Sequence, residues 1–416
     1  GAEDEEGRSD WHEPRGVHQS GGQDEPIDLL INNAGIGGVG CLDKATKNEL
    51  MKQPEANTGE LFLMMRASLP NLKLAVAKSG SATVEQAISR MGSIAGNGSG
   101  DWYGYRASKC ALIMVNFSLA IDLKQDKIIA LTLHTVARMT GNNGQVTTEE
   151  SVAGLAKIIA EATTGAAASS STSASTIPSP KEATPYSIKM SGKTVLITGS
   201  NRGIGLAFAK HYMASGWKVI AAARDPETAT DLKVAKIVQI DTSDEATITA
   251  AAEQLKGEPI DLLINNAGIG GGGGLDQTTK EEMMKQFEVN AVGPFLMTRA
   301  FLPNLKLAVA KSGSATVGQV TSRMGSIADN GSGGRYGYRA SKTALNMVNS
   351  SLAVDLKDEK IIALALHPGF VVTRMTGNTG QTTAEESVAG LTKIIAEATP
   401  EDSGKFFHFS GTNLPW

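Results

Sequence analysis

The sequence predicts an α/β fold with a doubly wound parallel sheet in its C-terminal half, preceded by a truncated partial α/β copy of the same fold. Strand-like and helix-like segments alternate from residue 193 onward, and a glycine-rich turn follows the first of these strands. A long segment of the sequence is also duplicated, so that residues 32–35 and 265–268 are both Asn-Asn-Ala-Gly. Alternating strands and helices favour a parallel sheet between two helix layers, with right-handed crossovers.

Composition limits the class of protein. The chain has 416 residues and a net charge of −4, without the basic excess that indicates nucleic-acid binding. Cys41 and Cys110 are too few for a disulfide framework and fit a reducing compartment. No apolar run is long enough to span a bilayer, and the start of the chain lacks an apolar signal segment. We therefore expect a cytoplasmic protein with no membrane or nucleic-acid partner and no metal site.

The duplication defines the predicted domains. Residues 1–25 are acidic and predict a disordered tail. Residues 26–163 form the truncated first copy, and residues 164–187 are an Ala/Ser/Thr/Pro linker. Residues 188–416 form the complete second copy. The copies are 233 residues apart at Tyr105 and Tyr338 but 236 apart at Arg138 and Arg374, so the first copy has lost three residues in between.

The second copy supplies the elements of the predicted sheet in order. Apolar, β-branched runs predict its strands, and stretches between them have helical spacing. The predicted strands are residues 193–198, 218–223, 236–240, 260–264, 315–320 and 361–366, and the helices between them include 204–215 and 245–256.

The glycine-rich turn predicts a dinucleotide site. Its residues are Thr198, Gly199, Ser200, Asn201, Arg202, Gly203, Ile204 and Gly205. Glycine allows a tight turn and close approach of the backbone to a pyrophosphate, and the following helix N-terminus offers unpaired N–H groups. A plain glycine-rich turn is the alternative, but the position between a strand and a helix favours the cofactor site.

Cofactor choice depends on the end of the second strand. An acidic residue that binds a ribose would be expected near Ala223, but Arg224 follows instead. The guanidinium groups of Arg224 and Arg202 suit a ribose phosphate. We therefore expect NADP (NADPH) rather than NAD, unless Asp225 faces the ribose. Asp241, after the third strand, is a candidate adenine contact.

Tyr338 and Lys342 are four residues apart on a predicted helix and therefore share a face. A nearby ammonium group favours the phenolate and lowers the pKa of tyrosine, which suits proton transfer near neutral pH. The same sequence motif recurs at Tyr105 to Lys109. The sequence thus holds two candidate sites.

The second copy resembles the short-chain dehydrogenase/reductase superfamily over residues 187–416, and its ending resembles the C-factor and carbonyl-reductase-like group. The resemblance rests on the glycine turn, the Asn-Asn-Ala-Gly element, the Tyr-x-x-x-Lys pattern and His367-Pro368-Gly369 followed by Thr373. It implies a Rossmann-like sheet and NADP-dependent reduction of an aldehyde or ketone, with a small-molecule carbonyl substrate.

The resemblance also implies roles. Tyr338 would be the general acid, Lys342 would lower its pKa and bind the nicotinamide ribose, and Asn290 would hold a relay water. The cofactor pocket would include Asn266, Ala267, Gly268, Pro368, Gly369 and Thr373. Ser322 matches the family's place for the catalytic serine at the end of the fifth strand, whereas counting back from Tyr338 selects Ser326. An apolar substrate pocket is suggested by Phe370, Met375 and Trp416.

The first copy keeps Asn57, Ser89, Tyr105 and Lys109 but lacks the glycine turn and a counterpart of Arg224. Because these side chains can position and protonate but carry no hydride, we expect an inactive half. Its first remaining strand, residues 27–31, would have a bare edge.

The retained helices suggest that the first copy docks on the second as an intramolecular pseudo-dimer; a loosely folded relic and a homo-oligomer are the alternatives. The competing function is a catalytically idle dinucleotide-binding signalling or scaffold protein, because fold alone does not establish activity.

Overall fold

The computed structural model describes residues 25–38, 40–134, 192–229, 232 and 236–416. The described residues form two separate parallel sheets, one of three strands and one of seven. The predicted linker, and the predicted tail apart from Glu25, lie outside the described residues.

The second copy contains the seven-stranded sheet. Its strands are β4 (Thr194–Thr198), β5 (Lys218–Ala223), β6 (Lys236–Gln239), β7 (Leu262–Asn265), β8 (Ala315–Val320), β9 (Ile361–His367) and β10 (Phe406–His408). Its helices are α4 (Gly203–Ala214), α5 (Glu245–Gln254), α6 (Lys280–Phe287), α7 (Gly293–Ala300), α8 (Leu302–Ser312), α9 (Tyr336–Asp355) and α10 (Ala384–Glu397). The spatial order is β10-β9-β8-β7-β4-β5-β6, with every neighbouring pair parallel.

Helices cover both faces of this sheet, as predicted. One apolar cluster joins Leu196 and Leu263 of the sheet to α5 and the helices α7 to α9. A second cluster joins Val195 and Ile197 to Phe208 of α4 and Leu391 of α10. Strands β4 to β6 extend the sheet in one direction and strands β7 to β10 extend it in the other, so the strand order reverses between β4 and β7. The carboxyl ends of these two parallel strands flank a crevice, where ligands bind in such sheets.

The first copy contains β1 (Leu29–Asn32), β2 (Ala82–Ile88) and β3 (Ile128–His134), with helices α1 (Lys47–Pro54), α2 (Glu60–Ser79) and α3 (Tyr103–Asp122). The strand order β1-β2-β3 corresponds to β7-β8-β9 of the second copy. Among the described residues, β1 pairs with β2 alone. Leu29 and Ile31 are 40% and 54% exposed, whereas Leu262 and Ile264 at the equivalent positions are 1% and 0% exposed. The predicted bare edge is therefore present in the described part of the chain.

A buried acid marks a further difference between the copies. Glu85 lies in the central strand β2, where the equivalent residue of β8 is Gly318. The side chain is 2% exposed, and its Oε1 has no hydrogen-bond partner in the described part of the chain. Burial raises the pKa of Glu85 to about 7.

The two copies pack against each other through α3 and α9, which is the contact that the pseudo-dimer hypothesis required. The Tyr103 hydroxyl donates a hydrogen bond to Asp355, and the Tyr336 hydroxyl donates one to Asp122. Tyr336 and Asp355 are the counterparts of Tyr103 and Asp122, so each bond becomes the other when the two copies are interchanged.

Other contacts are reciprocal in the same way. The Asn97 amide donates to Ser351 Oγ at 2.9 Å, and the Asn330 amide donates to Ser118 Oγ at 2.9 Å. The rings of Phe62 and Tyr336 are 5.0 Å apart, and those of Phe295 and Tyr103 are 4.7 Å apart. The ion pairs Lys47–Glu288 (2.6 Å) and Lys280–Glu55 (2.7 Å) are likewise exchanged equivalents. Such a self-complementary set is the pattern of a twofold interface, here formed within one chain.

No helix among the described residues is long and apolar enough to cross a membrane.

Candidate active site

The glycine turn lies where β4 ends and α4 begins, and its backbone is closely packed. Gly199 has φ +64° and Gly203 has φ +53°, a conformation that glycine adopts without steric cost. A Cβ at Gly205 would lie 2.2 Å from the carbonyl oxygen of Gly199. The turn therefore needs glycine, and it leaves backbone N–H groups at the start of α4 for an anion. The described residues thus fit the pyrophosphate cradle predicted for a dinucleotide.

The Asn-Asn-Ala-Gly element supports this turn. The Asn266 side-chain amide donates to the carbonyl oxygen of Thr198 at 2.9 Å, and the backbone N–H groups of Asn266 and Ala267 both donate to Thr198 Oγ1 at 3.0 Å. Gly268 follows, and a Cβ on it would lie 3.6 Å from Lys342 Nζ. The element therefore links the turn to the Tyr338 site.

At the end of β5, Arg224 is exposed, as is Arg202 in the turn. The Asp225 carboxylate accepts a hydrogen bond from the backbone N–H of Glu227 at 3.1 Å and begins a short 3₁₀ turn. The Asn201 amide donates to Thr228 Oγ1 in that turn at 2.8 Å. Asp225 thus has a local structural partner, which leaves Arg224 as the charged group available to a ribose substituent.

Asp241 lies beside Arg224. Its Oδ1 accepts hydrogen bonds from the backbone N–H and the hydroxyl of Ser243, at 2.9 and 2.8 Å. Burial raises the pKa of Asp241, but these bonds and the charges of Arg224 and Lys285 outweigh burial, so the net pKa is lowered. The carboxylate is therefore ionised and hydrogen-bonded at the edge of the crevice.

The four predicted catalytic side chains come together beside this crevice. Tyr338 and Lys342 lie in the first two turns of α9, and the Lys342 ammonium is 6.0 Å from the centre of the Tyr338 ring. Ser322 follows β8 and makes a hydrogen bond with Tyr338 that lowers the tyrosine pKa. Asn290 lies in the π-helical turn Glu288–Val292 and exchanges hydrogen bonds of 2.9 Å with the backbone of Ile269.

The net pKa direction of Tyr338 differs from the prediction. Burial raises the pKa of Tyr338, and the Ser322 hydrogen bond and the charge of Arg335 offset part of that increase. Burial also lowers the pKa of Lys342 to about 8. The net lowering of the tyrosine pKa that we expected is not seen, because desolvation of the phenolate outweighs the groups that lower the pKa.

The two candidate serines have different surroundings. Ser322 contacts Tyr338, as described above, and its Oγ accepts from the backbone N–H of Met324 at 3.2 Å. Ser326 is fully buried, and its Oγ accepts from the backbone N–H of Asp329 at 3.1 Å. The geometry therefore favours Ser322.

The loop after β9 lies close to the glycine turn at the crevice. Thr373 approaches the turn, since a Cβ at Gly203 would lie 3.6 Å from its methyl group. The carbonyl oxygen of Pro368 accepts from Ser387 Oγ at 2.6 Å, and Gly369 has φ +86°. Met375 contacts the glycine-rich stretch at residues 268–274, because a Cβ at Gly270 would lie 3.0 Å from its Cγ. Thr373 therefore lies beside the glycine turn, and the roles of Pro368, Gly369 and Thr373 in holding a cofactor stay predictions.

Trp416 lies elsewhere than the suggested substrate pocket. Its ring stacks on Phe406, with centroids 5.3 Å apart, and packs in a cluster with Ile94 and Cys110 of the first copy. Phe370 and Met375 remain 50% and 54% exposed in the loop after β9. Trp416 thus contributes to the contact between copies, and the apolar side chains near the crevice are Phe370 and Met375.

The first copy reproduces the catalytic arrangement without the cradle. Lys109 is 6.0 Å from the centre of the Tyr105 ring and donates to the carbonyl oxygen of Ala87 at 3.1 Å. The Asn57 amide donates to the carbonyl oxygen of Ile36 at 2.9 Å, as Asn290 does to Ile269. Ser89 makes a hydrogen bond that lowers the pKa of Tyr105, although burial raises it overall. Among the described residues, no strand or glycine turn stands beside β1 in the place that β4 and its turn occupy beside β7.

Sequence reasoning missed the side chains that the first copy contributes near Tyr338. Asp122 and Ser118 of α3 contact residues 330–336, immediately before Tyr338. A constant spacing of 233 residues between the paired tyrosines and aspartates was present in the sequence, but it did not show which pairs cross between the copies.

The site therefore defines a dinucleotide-binding α/β protein with a Tyr-x-x-x-Lys centre. A family model described as short chain dehydrogenase matches residues 15–151 and 193–384, and the chain belongs to that family.

Known proteins with similar sequences cover part of this chain and most of their own length. The C-signal of Myxococcus xanthus is 43% identical over 159 residues, which is 38% of this chain and 93% of that protein. The 1-hydroxy-2-glutathionyl-2-methyl-3-butene dehydrogenase of Rhodococcus sp. (strain AD45) is 36% identical over 232 residues, 54% of this chain and 99% of that protein.

Two solved structures are similar. The NADPH-bound carbonyl reductase from chicken fatty liver is 36% identical with a TM-score of 0.51, covering 55% of this chain and 100% of its own. The carbonyl reductase Sniffer of D. melanogaster is 28% identical with a TM-score of 0.52, covering 54% and 100%. Each of these two structures thus matches a length of this chain close to that of the complete second copy.

Proposed function

We propose that the second copy reduces the carbonyl group of a small aldehyde or ketone with NADPH, with Tyr338 as the proton donor. The observation that carries this proposal is the meeting of Tyr338, Ser322, Lys342 and Asn290 beside the glycine turn. A bound nicotinamide would supply the hydride, and the protein would supply position and a proton.

The cofactor would be held by residues of the crevice. The backbone of Gly199 to Gly205 would face the pyrophosphate, Arg202 and Arg224 would suit a ribose phosphate, and Asp241 would contact the adenine. Lys342 suits the nicotinamide ribose. The NADPH in the chicken carbonyl reductase supports this choice of cofactor by similarity.

Proton transfer would begin at Tyr338 Oη. Because the pKa of Tyr338 is raised, its hydroxyl keeps its proton at neutral pH and can donate it to the carbonyl oxygen as negative charge develops there. Ser322 can orient the same oxygen through its hydroxyl. Lys342 donates to the Val320 carbonyl oxygen at 3.0 Å, and Asn290 donates to Ser341 Oγ at 3.0 Å and to the Ile269 carbonyl oxygen, which leaves both groups anchored beside the phenol.

A panel of aldehydes and ketones, with NADPH oxidation followed by absorbance, tests the proposal. We expect turnover of at least one carbonyl compound, and slower turnover with NADH. Tight NADPH binding with no turnover of any compound would instead support the second candidate, a dinucleotide-binding signalling protein, which the similarity to the C-signal of Myxococcus xanthus favours.

A further inference from the structure

We propose that the first copy acts as a built-in positioning subunit for the Tyr338 site, and that Asp122 is its main positioning residue. This inference rests on the proposed function of the second copy. It concerns residues 330–336, which begin at Asn330 and end at Tyr336, the first residue of α9. Tyr338 follows two residues later. We call this stretch the pre-helix segment.

Asp122 holds the end of the pre-helix segment. Its Oδ2 accepts hydrogen bonds from the backbone N–H of Gly334, at 3.1 Å, and from the hydroxyl of Tyr336. The segment also passes very close to this carboxylate, since a Cβ at Gly333 would lie 1.9 Å from Oδ1. Gly333 and Gly334 have φ +60° and +57°, so the segment makes its turn directly against Asp122.

The start of the segment is held by a second contact from α3. The Asn330 amide donates to Ser118 Oγ at 2.9 Å, and Asn330 Oδ1 accepts from the backbone N–H of Gly333 at 3.2 Å. Asn330 is 4% exposed, and Tyr336, which packs on Phe62 of the first copy, is fully buried. Both ends of the pre-helix segment are therefore fixed by the first copy.

The segment transmits this position to two parts of the site. It sets where α9 begins and hence where Tyr338 lies. Its residue Arg335 is in the left-handed region, at φ +48°, and donates its backbone N–H to the carbonyl oxygen of Gly273 at 2.8 Å. Gly273 belongs to the glycine-rich stretch against which Met375 packs. Releasing the segment would thus displace both the proton donor and one wall of the crevice.

The pseudo-twofold supplies a matched control. Asp355 contacts Asp101 and Tyr103 of the first copy as Asp122 contacts Gly334 and Tyr336. Asp355→Ala removes an equivalent bond from the same interface but frees the segment before Tyr105, which belongs to the half without a cradle. Asp122→Asn is the conservative variant, because one amide oxygen can accept both bonds that Oδ2 accepts.

The experiment measures kcat and KM for NADPH and for a carbonyl substrate in the full-length chain. We expect Asp122→Ala to lower kcat about tenfold with little change in the KM for NADPH, because small displacements of a catalytic group cost rate. Asp122→Asn should retain most of the activity, and Asp355→Ala should change kcat less than twofold. Equal losses from Asp122→Ala and Asp355→Ala, or no loss from either, would overturn the positioning role.

A second readout does not depend on turnover. Hydrogen exchange of the backbone amides at residues 332–338 should accelerate in Asp122→Ala and stay at the native rate in Asp355→Ala. If the native chain reduces no carbonyl compound, the proposed function fails, and this exchange comparison still decides the positioning role. Unchanged exchange at residues 332–338 in Asp122→Ala would overturn it.

Discussion

The Lys342 ammonium donates a hydrogen bond of 3.0 Å to the carbonyl oxygen of Val320, and this bond fixes the lysine at the end of β8. Its counterpart, Lys109, makes the same bond to Ala87 at 3.1 Å. The two copies therefore have nearly identical proton-transfer groups, and they differ in what lies beside them. Most changes in the second copy therefore have a matched control in the first.

Replacing Tyr338 by phenylalanine should lower kcat for carbonyl reduction by at least about a hundredfold, because the proton donor is lost. Steady-state rates with NADPH measure this loss. Tyr105→Phe should leave the rate unchanged, and similar losses from both changes would contradict a single active copy.

The efficiency kcat/KM for NADPH should fall as pH rises through about 8. Burial lowers the pKa of Lys342 to about 8, so the free protein carries the charged lysine below that pH and loses it above. The neutral amine attracts the cofactor less, and kcat/KM reports groups of the free enzyme. A profile measured from pH 6 to pH 10 tests this, and an efficiency that stays flat to pH 10 would argue against a role for Lys342 charge. Lys109→Met should keep the native profile.

Removing the guanidinium of Arg224 should raise the KM for NADPH at least about tenfold and the KM for NADH little, since a ribose phosphate is recognised by charge-assisted bonds. Asp225→Ala should preserve the cofactor preference and lower stability modestly, because Asp225 caps a 3₁₀ turn. The KM values for both cofactors measure the effect. A native protein that uses NADH as well as NADPH would refute the choice of NADP.

Stability of the first copy should decrease as pH rises from about 4.5 to about 7. Burial raises the pKa of Glu85 to about 7, so the folded state binds the proton more tightly than the unfolded chain does. The stabilisation is complete below the unfolded pKa and is lost as pH rises through the folded pKa. Thermal unfolding should show Glu85→Gln more stable than the native chain at pH 8, with a smaller difference at pH 5. The same difference at both pH values would mean that Glu85 does not titrate in this range.

The exposed edge strand β1 should promote association of the chain. An open edge with apolar side chains is a template for pairing with another strand. Ile31→Lys should therefore reduce concentration-dependent light scattering without changing NADPH-dependent turnover. The matched change Ile264→Lys, at a fully buried position, should prevent folding of the second copy. Scattering that is unaffected by Ile31→Lys would mean that this edge is not a site of association.

Sequence reasoning predicted most of the second copy because its signals are local. The apolar runs at residues 218–223 and 315–320 coincide with β5 and β8, and the glycine turn lies where the strand and helix pattern placed it. The choice of Ser322 rested on the family resemblance, and in the structure this residue follows β8 and makes a hydrogen bond with Tyr338. The direction in which the Tyr338 pKa shifts could not be predicted from the sequence, since it depends on how much solvent the folded site excludes.

The contacts between copies are the part that the sequence did not specify. Asp122 and Tyr336 are 214 residues apart, and nothing local to either residue indicates the other. Trp416 illustrates the same limit: its apolar ring fitted a substrate pocket equally well, and its stacking on Phe406 follows from the path of the C-terminal segment. Contacts between residues so far apart in the sequence can be identified only from the three-dimensional arrangement of the sheets and helices.

The reciprocal tyrosine–aspartate bonds also change the thermodynamics of assembly. In a dimer of separate chains, dilution dissociates the interface and removes the partner. Here both halves belong to one chain, so their encounter is intramolecular and does not weaken on dilution. Specific activity per mole of chain should therefore be constant down to nanomolar protein, and each molecule should bind a single equivalent of NADPH.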